Sequence, residues 1–115
     1  MASAPSSALD DLHATIRARL ATGDAGSSYV ARLNGKGRDA ILKKVGEEAA
    51  EVLIAAKNDD SVNLVHELAD LWFHCAVLMA HAGVEPEQLY GELARRAGTS
   101  GIAEKAARGQ PPNGE

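Results

Sequence analysis

The chain has 115 residues and a single cysteine, so one domain is expected, and an internal disulfide framework or a cysteine-rich zinc site is excluded. The net charge of -4 lacks the basic surplus of a domain that grips a nucleic-acid backbone. Aromatic residues are only 3%, alanine is abundant and β-branched runs are scarce, which favours helices.

No stretch approaches the roughly 18 uninterrupted apolar residues of a membrane span. Met1 to Ala8 offers neither a basic segment nor an apolar run. The expectation is a soluble, cytoplasmic protein with a flexible N-terminus over 1–8, a helical domain over 9–108 and a disordered tail over 109–115.

In chain order, Ser7 and Asp10 have the spacing of a capped helix start, and Leu9, Leu12, Ile16 and Leu20 follow at helical spacing until Gly23 and Gly26. Ser27 and Ser28 offer caps for a short helix through Tyr29, Val30 and Leu33, closed by Gly35 and Gly37. Asp39 opens a long helix to about Lys57. Asn58, Asp59, Asp60 and Ser61 then form a turn that also caps a second long helix, from about Val62 to Ala82, stopped by Gly83. Pro86 suits a first helical turn, so a further helix covers about Pro86 to Ala97. Gly98 to Gly101 reads as a turn and Ile102 to Arg108 as one more short helix. Two long helices joined by a short turn lie antiparallel. The fold expected is therefore all-α, a four-helix-type bundle, and so small a chain completes its core by pairing into a homodimer.

The chemistry falls on the two long helices. The first has the pattern E-E-x-x-E at Glu47, Glu48 and Glu51. Glu48 lies on the margin of the apolar stripe Ile41, Val45, Ala49, Val52, Leu53 and Ala56. The second is apolar almost all round, as a buried central helix is, and Trp72 and Phe73 read as core. Its ionisable groups, His66, Glu67, Asp70, His74 and His81, fall within an arc of roughly 100°. An antiparallel pair thus presents Glu48 and Glu51 opposite Glu67 and Asp70. Such crowded carboxylates repel unless some are protonated or cations sit between them, and oxygen donors in that number suit hard ions, Mg²⁺ first and Mn²⁺ as an alternative.

E-E-x-x-E, fifteen residues, then E-x-x-D resembles the signature of the all-α nucleoside triphosphate pyrophosphohydrolases, which include MazG-type enzymes and dimeric dUTPases. The blocks Ser28 to Leu33, Lys36-Gly37, Ile41 to Glu48, Glu67 to Leu71 with His74, Arg95 to Gly101 and Glu104 to Ala106 resemble the phosphoribosyl-ATP pyrophosphohydrolase family more closely. The resemblance implies Mg²⁺ held by Glu48, Glu51, Glu67 and Asp70, with Glu47 as a further ligand or as the group that orients the attacking water. It implies hydrolysis of 1-(5-phosphoribosyl)-ATP to 1-(5-phosphoribosyl)-AMP and pyrophosphate, in the second step of histidine synthesis.

Around that centre, Lys36, Lys43 and Lys44 are candidate phosphate contacts, although Lys43 and Lys44 also sit at ion-pair spacing before Glu47 and Glu48. Arg95, Arg96, Ser100 and Lys105 are candidates for a ribose-phosphate clamp. His74 is read as a residue that orients a ligand or satisfies the core, His66 and His81 as structural or exposed, and Tyr29 as a possible stacking partner for adenine. Three rivals remain: a sister enzyme that cleaves ordinary or damaged nucleoside triphosphates, a di-iron bundle, and an inactive helical dimer. The di-iron site wants Glu-x-x-His, whereas this chain has Glu-x-x-Asp.

Overall fold

A computed structural model describes residues 5–24, 26, 28–98 and 108, with side chains from residue 8 onward. Five helices are present among them: α1 (Pro5–Thr22), α2 (Tyr29–Lys36), α3 (Arg38–Lys57), α4 (Ser61–Ala82) and α5 (Pro86–Ala97). The described residues contain no strand. The chain divides into two compact units, residues 1–84 with α1 to α4 and residues 85–115 with α5. The expected turn at 98–101, the short helix at 102–108 and the tail lie outside the described residues, except Gly98 and Arg108. No helix among the described residues is long and apolar enough to cross a membrane.

Local chemistry fixes most boundaries. Ser28 is extended and its hydroxyl accepts from the Ala31 N–H at 3.2 Å, which caps α2. Asp60 does the same for α4, accepting from the Asn63 N–H at 3.0 Å. Gly83 ends α4 in the left-handed conformation, φ 75°. Three starts or stops differ from the sequence reading. The first helix begins at Pro5, ahead of Ser7, because a proline is pre-set for a first helical turn. Gly35 lies inside α2, and Lys36, expected in a loop, is its last residue. Asp39 is not the cap of α3: Gly37 is, and Asp39 stands in the first turn, where its charge complements the helix dipole.

In the first unit α3 and α4 make the most extensive helix–helix contact, and α1 and α2 pack across them. The core joins Ile16 of α1, Val30 and Leu33 of α2, Ile41 of α3 and Ala76 and Val77 of α4, with Leu12, Leu20, Phe73 and Leu78 packed around it. This core lies against the second half of α4. The half of the hairpin nearer the turn is left open, with Val62 82%, Val65 68% and Leu53 67% exposed. Three expectations are corrected here. Helix α4 is not buried all round within one chain, and Trp72, read as core, is exposed, as are Leu53 and Ala56 of the expected α3 stripe. The reason is coverage: Ile16 of α1 and Val30 and Leu33 of α2 pack with Ala76 and Val77 in the second half of α4, and not with the half nearer the turn.

Gly37 ends α2 and starts α3 at φ 99°, ψ 174°, a backbone region open essentially to glycine alone. A Cβ there meets nothing within 4 Å, so Gly37→Ala isolates the backbone cost. We expect it to lower unfolding free energy by about 1–3 kcal/mol in urea titrations, with the m-value unchanged.

Candidate metal and phosphate site

Buried positions on α3 are Ile41, Glu48 and Ala55, each two turns from the next. Glu48 therefore occupies a core line, not its margin, and is 9% exposed. A carboxylate so placed needs a partner, and Lys44 provides it one turn earlier, with Nζ 3.3 Å from Glu48 Oε2 and 3.5 Å from Glu47 Oε1. The hydrogen bond to Glu48 is the main cause of the raised Lys44 pKa. Glu47, Glu51 and Lys43 are exposed on the same helix.

Across the hairpin on α4, His66, Glu67 and Asp70 bring one donor atom each to within 4.8 Å of one another. His66 Nε2 lies 3.4 Å from Asp70 Oδ2, one helical turn away. Burial pushes the Glu67 carboxyl above its ordinary pKa, and Glu51, Asp70 and Glu48 push it further, against the opposite pull of His66. The charges of both long helices are thus felt at one side chain. Glu48 and Glu51 act on Glu67 through space, whereas the tight donor cluster is confined to α4.

His74 is buried and uses both ring nitrogens: Nδ1 lies 2.8 Å from the Asp70 backbone oxygen and Nε2 2.8 Å from the Tyr29 hydroxyl. With Nδ1 protonated and donating to the carbonyl, Nε2 accepts from the phenol. His74 thus meets the backbone of Asp70 and not its carboxylate. Tyr29 stacks on Phe73, centroids 6.3 Å apart, and the Arg32 guanidinium lies 6.0 Å from its ring centre. His81 Nδ1 contacts Asn34 Oδ1 at 2.6 Å, a second tie between α4 and α2.

A family model described as phosphoribosyl-ATP pyrophosphohydrolase matches residues 9–97. Proteins named phosphoribosyl-ATP pyrophosphatase are similar over most of the chain. That of Variovorax paradoxus is 54% identical over 90% of this chain and 86% of its own length. The Bordetella bronchiseptica protein is 49% identical over 90% and 96%, and that of Chromobacterium violaceum 60% over 71% and 76%. The chain belongs to the phosphoribosyl-ATP pyrophosphohydrolase family.

The acidic pattern read from the sequence named Glu48, Glu51, Glu67 and Asp70 but not His66, which stands with Glu67 and Asp70 in the α4 cluster. Its signal was present in the sequence, one residue before Glu67 and one helical turn before Asp70. The pairs Tyr29–His74 and Asn34–His81 span 45 and 47 residues, and no local pattern foretells them. In the second unit, Arg95 and Arg96 both bind Glu92, at 2.6 and 2.8 Å, and hold its carboxyl down to about 2. The proposed clamp arginines therefore already carry an anion of their own helix. Ser100 and Lys105 lie outside the described residues.

Because Glu51 adds negative charge at Glu67, Glu51→Gln should lower the Glu67 pKa in the metal-free protein. Carboxyl-carbon NMR titration reads this directly; an unmoved Glu67 would separate the two helices electrostatically.

Proposed function

We propose that this chain hydrolyses 1-(5-phosphoribosyl)-ATP to 1-(5-phosphoribosyl)-AMP and pyrophosphate, the second step of histidine synthesis, with the aid of a divalent cation. One observation carries the reading: the family match spans the hairpin in which Glu48 and Glu51 of α3 raise Glu67 of α4. A cytoplasmic location goes with a nucleotide substrate of biosynthesis.

The donors suit a hard cation. On α4, His66, Glu67 and Asp70 each bring one donor atom within 4.8 Å of the others. Glu67 and Asp70, with Glu48 and Glu51 from α3, would hold the ion, and the imidazole of His66 leaves room for Mn²⁺ as well. When bound, such an ion neutralises phosphate oxygens and the departing pyrophosphate. Glu47, exposed beside Lys44, orients the water that attacks phosphorus. Lys36, Lys43 and Lys44 bind the anionic phosphates of the substrate. In the second unit Arg95, Arg96, Ser100 and Lys105 are the candidate ribose-phosphate ligands, the guanidiniums exchanging Glu92 for phosphate. No side chain acts as a covalent nucleophile.

Glu51→Gln and Asp70→Asn should each reduce kcat/KM by about two orders of magnitude, since each removes part of several kcal/mol of charge stabilisation. Chelation should abolish turnover and added Mg²⁺ restore it. Undiminished pyrophosphate release by either variant removes the metal mechanism. Turnover of phosphoribosyl-ATP well above that of dUTP, dCTP and ATP excludes the sister enzyme that cleaves ordinary triphosphates.

A homodimer is part of the same proposal. The exposed apolar side chains of the hairpin, Val62, Val65 and Trp72 on α4 and Leu53 and Ile54 on α3, are surface that a single chain leaves uncovered. Light scattering should give twice the chain mass for the wild type and a shift toward the single-chain mass for Val65→Glu. A wild type at single-chain mass ends the dimer proposal.

A further inference from the structure

Glu48 and Lys44 make an unequal pair. The glutamate side chain is 12% exposed and fixed on the core line of α3, whereas the lysine side chain is 33% exposed and ends a long flexible stem. Its ammonium bridges Glu48 and Glu47 at 3.3 and 3.5 Å. We infer that Lys44 is an exchangeable counter-ion: it neutralises Glu48 until a divalent cation arrives, and is then displaced toward the phosphates of the substrate. The inference rests on the reading of Glu48 as a metal ligand.

The physical argument is one of charge. Burying a carboxylate costs free energy unless a cation stands beside it, and Lys44 Nζ stands 3.3 Å away. A divalent ion on Glu48 would share that carboxylate with an ammonium already in contact, and the two cations repel. Lys44 is the partner that can withdraw, because Glu48 is set in the packed face whereas the lysine is one-third exposed and ends a long flexible stem. Its proton stays in place; what moves is the charge. Metal and phosphate binding are thereby coupled, since the ammonium that opposes the metal becomes a ligand of the phosphate.

The test is Mn²⁺ affinity of the full-length chain without substrate, read by electron paramagnetic resonance at mildly alkaline pH. Lys44→Met should bind Mn²⁺ about tenfold more tightly than wild type, the size expected for coupling through one charged group. Lys44→Arg, which keeps the charge, should stay close to wild type. Lys57→Met, which removes the same charge at the exposed end of α3, should also leave the affinity unchanged. The gain should vanish on a Glu48→Gln background. In turnover, Lys44→Met should raise KM for phosphoribosyl-ATP although it binds metal better, an opposition that loss of folding does not produce. If wild type binds Mn²⁺ and Lys44→Met binds it no more tightly, or Lys57→Met gains equally, Lys44 is not a counter-ion for the site. If neither wild type nor Lys44→Met binds Mn²⁺, the metal reading itself fails and this inference with it.

Discussion

Negative charge gathered between two packed helices is the constraint from which the rest of this structure follows. Glu48 sits on the buried line of α3 between Ile41 and Ala55, and Glu67 of α4 is pushed toward its neutral form by burial and by the carboxylates around it. Charge in such a place is costly unless it is compensated. The chain compensates with what it has: the Lys44 ammonium on Glu48 and Glu47, and the His66 imidazole beside Asp70. Neither relieves the whole group: the Glu67 carboxyl is still pushed toward its neutral form.

The scaffold around the charge is stiffened from α2. Tyr29 and Asn34 reach His74 and His81, so the same face of α4 that carries the acids is tied down by two histidines further along. The Tyr29–His74–Asp70 chain ends on a backbone carbonyl, so it fixes the position of the helical turn bearing Asp70 and leaves its carboxylate available. Tyr29, stacked on Phe73 with its hydroxyl committed to His74, is held by its own neighbours in the single chain.

The apolar core is unevenly placed. Ile16, Val30, Leu33, Ile41, Ala76 and Val77 seal one end of the hairpin, and Val62, Val65, Leu53 and Trp72 are left outside. A fold of this size has too few residues to cover two long helices on every side. That arithmetic, and not any defect of pattern, is why an all-round apolar α4 coexists with a half-open surface.

The sequence by itself determined the all-helical class, the number and order of the five helices and where on the two long ones the acids stand. Those features are local: caps at Ser28 and Asp60, stops at Gly37 and Gly83, and carboxylates at helical spacing are written in neighbouring residues. Its errors were local too, as at Asp39, where Gly37 took the cap because it alone accepts the backbone angle between α2 and α3. Only the tertiary structure decided that Glu48 is buried, that Tyr29 and Asn34 meet His74 and His81, and that Trp72 faces outward. Such properties depend on which surfaces other helices cover, and coverage arises from contacts between residues far apart in the chain.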